Sequence, residues 1–389
     1  MPTSTENPFR IGSHVTGRFF TDRAAEVKRI VAAMREPTRL LVFGPRRVGK
    51  SSAIGVAAAR AAKDGVLVIR ADLSTASGLV DVANRLLQSL STQRTRDRLA
   101  EFASRITPSV ALTFDEVTGA PRLVFAAERR TALETQQRRT LEQVIEGLAA
   151  DAGARGERIA VVLDEFQAIR RFGGEEAEWH LRDLMQRAGS LSFVCAGSEE
   201  SVIEGMMEPE RAFFRAFELL HMGPIEAQHL AKWLDSRMEG AGVAPNGAGA
   251  TIVAAAGPRT QDVLQVARHV YTRGLSTGAV PPDAVEAAVQ EVVTQEDPVI
   301  RTVWSNLTTH QQNVLRAVAS GAGQIFSASA RERFGLPASS TVSVAVDALE
   351  SRGLLVRDRG TSVLAFDSPF VRLWVRREAL DDVPPPFAE

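Results

Sequence analysis

The stretch Leu40–Ser52, LLVFGPRRVGKSS, sets a lysine and a hydroxyl at the end of a glycine-bounded loop. An apolar strand, Leu40 to Phe43, runs into the pattern G-x-x-x-x-G-K-S from Gly44 to Ser51, and an Ala-rich helix follows to Arg60. Residues of these types at this spacing cradle phosphate. Gly44 and Gly49 admit torsions closed to other residues, so the backbone across Pro45, Arg46, Arg47 and Val48 can turn its N–H groups inward. The helix opened by Ser51 and Ser52 then presents its positive dipole end. Lys50 is expected to reach the β- and γ-phosphates of a nucleotide, and the Ser51 hydroxyl to ligate Mg²⁺.

A second element carries acids. Ile159–Ile169, IAVVLDEFQAI, reads as a buried-type strand ending in Asp164-Glu165. In a parallel α/β sheet ligands gather beyond the carboxyl ends of strands, which predicts both carboxylates beside the phosphate loop. Asp164 suits the Mg²⁺ shell, and Glu165 suits a general base for an attacking water. Ser198, after the apolar run LSFVCAG, would sense the γ-phosphate or else cap the helix that follows. Arg211 and Arg215 precede a last strand-like run, Phe217–Met222; either would supply a guanidinium to a transferring phosphoryl group, Arg215 being nearer the strand. Gly17-Arg18, upstream of the loop, would line the base and ribose. Further on, Pro258 and Arg259 stand at a helix start, where they would contact the nucleotide from a lid or simply open an exposed first turn.

These groups need a scaffold. The chain has 389 residues, 44 % hydrophobic and 24 % charged, with a formal net charge of -1. That suits two or three globular domains and gives no overall basic excess for nucleic acid. Cys195 is the one cysteine, which excludes a disulfide framework and a Cys-based metal site, and a cytoplasmic protein is expected. No apolar stretch approaches a membrane span. Strands alternating with helices predict an α/β three-layer domain with a parallel sheet over residues 1–224, in which Asp22 would cap the first helix and a hairpin, Val110–Thr113 with Leu123–Phe125, would interrupt the long helical excursion. Helical segments at 225–300, among them Pro282–Thr294, predict a small helical domain. Residues 301–380, with three helices, two short strands (Leu354–Arg357, Ser362–Phe366) and an aromatic helix, predict a winged helix ahead of a tail, 381–389. Its third helix, SSTVSVAVDALESR, lacks the Arg, Lys, Asn or Gln that would read base edges, apart from Arg352 at its end; Arg357 and Arg359 of the wing are offset by Asp358.

Taken together, GPRRVGKSS, DEFQ (Asp164–Gln167), AGS (Ala196–Ser198) and DSPFVRLW (Asp367–Trp374) resemble the archaeal-type ATPases of the STAND group within the AAA+ P-loop superfamily. The resemblance implies a P-loop ATPase domain, a helical lid and a winged helix, with ATP and Mg²⁺ as cofactors. It implies slow hydrolysis that works as a conformational switch, and a protein partner or self-association. It places Gly17-Arg18 near the adenine and Pro258 at the lid contact, although the glycine here directly precedes the proline. The alternative is a DNA-binding ATPase similar to replication initiators, or a regulator; a third reading is a degenerate loop that holds nucleotide without turnover.

Overall fold

The computed structural model describes residues 6–12, 17–94, 101–102, 110–114, 121–125, 130–321, 325–357 and 363–380. The chain divides into two compact units, one Ser13–Pro224, the other Met1–Gly12 together with Ile225–Glu389.

In the first unit the strands are β1 (Arg39–Phe43), β2 (Val66–Asp72), β3 (Val110–Phe114), β4 (Pro121–Phe125), β5 (Arg158–Asp164), β6 (Ser192–Gly197) and β7 (Glu218–His221). Five of them form one parallel sheet in the order β2-β5-β6-β1-β7. The expected hairpin is present as antiparallel β3-β4, between helices Leu79–Ser91 and Arg130–Arg155. The central strands are apolar on both faces because both faces are covered. Leu41, Ile69, Val161 and Phe193 pack with helices Leu79–Ser91 and Gly174–Arg187, while Leu40, Val42, Val68, Val162 and Val194 pack with Ala24–Arg35 and Lys50–Lys63. Alternate residues of a strand thus serve opposite layers. Asp22 does not cap the first helix: it and Arg23 are both left-handed (φ 57° and 66°), Arg23 is the N-cap residue, and no side chain caps the helix.

In the second unit, helices Ala227–Gly240, Ala248–Ala256, Thr260–Gly274 and Ala284–Ser305 share a core that takes in Phe9, which is fully buried against Trp233 and Tyr271. The N-terminal segment therefore groups with this unit, not with the sheet that follows it in sequence. The helix expected to end at Thr294 runs on to Ser305 through Pro298. It is held there by the buried Ile300 and by Asp297, which accepts from Trp374 Nε1 at 2.7 Å. A predicted boundary at residue 300 thus falls inside one continuous helix. Helices Thr309–Ala319, Ala328–Phe334 and Ser339–Ser351, the antiparallel pair β8 (Leu355–Arg357) and β9 (Leu364–Phe366), and helix Pro369–Glu378 make the winged helix. Asp358, Arg359, Ser362 and the 381–389 tail lie outside the described residues. No described helix is long and apolar enough to cross a membrane.

Candidate nucleotide site

Because the sheet is parallel, β1, β5, β6 and β7 all end on one edge. Phe43 is in register with Gly197 on one side and His221 on the other, so the residues that leave these strands, Gly44, Ser198 and Met222, emerge side by side. β5 lies one strand further out, with Leu163 opposite Cys195.

The loop from Gly44 is shaped by backbone that side chains resist. Gly44 has φ 151°, and a Cβ there would lie 2.2 Å from the Met222 carbonyl oxygen; Gly49 has φ 94° and Arg47 φ 65°. Val48 is buried, Arg46 pairs with Glu199 at 2.7 Å, and Ser52 is half-buried on the helix. Lys50, the first residue of helix Lys50–Lys63, is 7 % exposed, and its ammonium donates to the carbonyl oxygens of Gly44 (2.8 Å) and Pro45 (2.6 Å). Burial lowers its pKa to about 8, against the pull of Glu165, Asp164 and Glu200, whose charges favour the ammonium.

Asp164 ends β5 and is bonded to the Ser51 side chain; burial pushes its carboxyl above the ordinary value, and the neighbouring Glu165 and Asp72 add to that. Glu165 is left-handed (φ 51°), and its Oε2 accepts from Ser198 Oγ (2.7 Å) and Gln167 Nε2 (2.6 Å). Ser51 is thus hydrogen-bonded to Asp164 and Ser198 to Glu165, with Lys50 close enough to both carboxylates for their charges to act on it.

The arginines divide. Arg211 is committed to Glu175 and to Glu178, a fully buried carboxylate that Arg170 also pairs. Arg215 is left-handed (φ 52°) and exposed, its guanidinium 5.2 Å from the Phe214 ring centre. Gly17 and Arg18 lie in an exposed turn, Arg18 stacked 4.9 Å over Phe19. Pro258 and Arg259 belong to the second unit, where Arg259 is buried in an ion pair with Asp367 rather than exposed in a first turn.

Two supporting residues escaped sequence reasoning. Arg23, 5 % exposed, donates to the carbonyls of Val48 (3.2 Å) and Gly223 (2.5 Å), fixing the loop from below. No pattern marks it. Gln167, within DEFQ, was visible as a motif letter but without a task.

The site's donors suit a hard cation: the Ser51 hydroxyl and the Asp164 carboxylate are oxygen ligands already brought together, and a divalent charge would offset the burial that disfavours the Asp164 anion.

Residues 20–216, just over half of the chain, match the family described as an ATPase domain predominantly from Archaea, and residues 299–377 match a winged helix domain. Among solved structures the chain is similar to a Walker-type ATPase of Pyrococcus abyssi, with 16 % identity, 92 % of this chain and 96 % of that one covered, and a TM-score of 0.64. It is also similar to the Aeropyrum pernix ORC1 protein in complex with DNA (16 % identity, 93 % and 94 % covered, TM-score 0.51) and to the ADP form of Aeropyrum pernix ORC2 (16 %, 90 % and 90 %, 0.51). At such identities these likenesses speak for the fold. No curated protein matches the chain.

Proposed function

The chain belongs to the family of ATPase domains found predominantly in Archaea, and from that premise we propose that it binds and slowly hydrolyses Mg·ATP as a nucleotide-controlled conformational switch. The observation that carries this reading is the shared neighbourhood of Lys50 with Asp164 and Glu165 at the sheet's edge. The loop amides and the Lys50 ammonium would hold the β- and γ-phosphate oxygens. Ser51 and Asp164 would hold Mg²⁺, which when bound supplies charge neutralisation at the phosphates. Glu165 takes a proton from the water as that water's oxygen bonds to the γ-phosphorus and the bond to the ADP oxygen breaks; the proton then passes to the phosphate product. Ser198 contacts the γ-phosphate. Arg215, exposed and free of the ion-pair network that ties Arg211, is the candidate to meet the transferring group, in this chain or a neighbouring copy. Gly17, Arg18 and Pro258 keep their assignments to the nucleotide on the family resemblance alone.

The test is a pair of variants. Glu165→Gln should retain ATP while turnover falls by roughly 10²–10⁴-fold, and Lys50→Ala should weaken nucleotide binding itself. Normal turnover in Glu165→Gln would remove the base assignment. Sizing the protein with and without a non-hydrolysable ATP analogue tests the switch and any self-association.

A DNA-binding ATPase is the second reading, favoured by the likeness to ORC1, which was solved with DNA. Against it, the exposed residues of helix Ser339–Ser351 are Ser339, Ser340, Thr341, Ser343, Val344, Asp347 and Ser351, and Arg357 of the wing is paired with Glu350. Duplex titration across salt separates the two, since phosphate-driven binding falls steeply as salt rises.

A further inference from the structure

Glu165 does not hold its own position. Its backbone is in the left-handed region, and its side chain is steered through one oxygen: Oε2 accepts two hydrogen bonds, from Ser198 Oγ at 2.7 Å and from Gln167 Nε2 at 2.6 Å. The two donors differ in what else they can do. A serine hydroxyl carries one proton on a freely turning bond, so it serves one acceptor at a time. If Ser198 turns to a γ-phosphate oxygen, it leaves Glu165.

Gln167 has no such choice. It is 6 % exposed, and its amide must face Glu165 with nitrogen because a carboxylate only accepts. Its own Oε1 is consequently buried with no hydrogen-bond partner. Space for that orphaned oxygen exists because residue 197 is glycine: a Cβ there would lie 2.7 Å from Gln167 Oε1 and 2.1 Å from Ile203 Cδ1. An amide kept buried with half its capacity unmet, beside a glycine that makes room for it, is placed for its partner and not for its own satisfaction.

We infer that Gln167 is the positioning residue of the hydrolytic centre: it keeps Glu165 Oε2 fixed when Ser198 is drawn to the γ-phosphate, leaving Oε1 as the oxygen that takes the proton of the attacking water. Arrival of the third phosphate thus converts a doubly held carboxylate into a singly held one without releasing it. This rests on the reading of Glu165 as base and Ser198 as the phosphate contact, and it adds a residue whose loss should be felt in the chemical step alone.

The experiment is steady-state ATP hydrolysis on the full chain with Gln167→Met, which keeps length and removes the donor, and Gln167→Asn, which keeps the amide but shortens its reach. Both should lower kcat by about 10-fold, the scale of one hydrogen bond to a charged group, with KM and the affinity for a non-hydrolysable ATP analogue within twofold of the parent. In a Glu165→Gln background, adding Gln167→Met should change the residual rate no further. Should Gln167→Met fail to yield folded protein, Gln167→Asn decides. Turnover within twofold of the parent, or a loss carried by KM together with a lower Tm, overturns the inference. Failure here is distinct from failure of the base reading: an inactive Glu165→Gln with a fully active Gln167→Met sinks only the role of Gln167, whereas a fully active Glu165→Gln sinks both.

Discussion

The edge of the parallel sheet and the third helix of the winged module are built by opposite rules. At the sheet edge, backbone strain, buried charge and short polar contacts are concentrated: Gly44, Arg47, Gly49 and Glu165 all have positive φ, while Lys50 and Arg23 are cations with almost no exposure. Helix Ser339–Ser351 has no residue at positive φ and no buried charged side chain. Its inward residues Val342, Val346 and Leu349 are ordinary core, and its outward face is small and nearly uncharged. Strain and buried charge persist only where the surrounding structure over-determines them, and here they coincide with the carboxyl ends of the strands. A face of hydroxyls, Val344 and one carboxylate presents none of the Arg, Lys, Asn or Gln side chains that read base edges.

That contrast can be broken in graded ways. The largest effect is expected from Gly44→Ala, whose methyl would run into the Met222 carbonyl; binding of a fluorescent ATP analogue should be lost, and retained affinity would show that the loop tolerates displacement. Next comes Arg259→Ala, which strands Asp367 in a mostly buried site and should lower unfolding stability by about 3 kcal/mol in a denaturant titration. Arg23→Ala leaves the carbonyls of Val48 and Gly223 without their donor and should weaken ATP binding by about 10-fold by calorimetry, with less change in overall stability. The smallest is Asp347→Ala on the exposed helix face: ATP turnover should stay within roughly twofold, as surface changes remote from special features do. A large loss of turnover there would tie the winged module to the chemistry and erase the contrast.

Much of this was legible in sequence because its signals are local. G-x-x-x-x-G-K-S announces a loop whose torsions and charges are set within eight residues, and an apolar run ending in Asp164-Glu165 announces a buried parallel strand with carboxylates at its end. The five-stranded parallel sheet, the β3-β4 hairpin and the winged helix followed from such runs. What escaped reading depends on long-range contacts. Arg23 acts on residues 25 and 200 positions away, and nothing in its neighbourhood separates it from any surface arginine. Asp22 looked like a helix cap because its type suits one, but the chain enters that helix through left-handed residues that take the cap position away. Phe9 sits in an unremarkable polar start, yet pairs with Trp233 and Tyr271 far along the chain. The helix expected to stop at Thr294 continues to Ser305, where the buried Ile300 packs into the core. Arg259 reads equally as a lid contact or as an exposed first-turn residue; its burial against Asp367, over a hundred positions away, has no local signal.

The crossing of Gly44 beneath Met222 sets different tolerances on two neighbours. Met222 meets that crossing with its main-chain oxygen, a group every amino acid carries, so a library randomised at position 222 should return several apolar side chains of similar bulk. Position 44 meets it with the atom only glycine omits. The same library at 44 should return a single survivor.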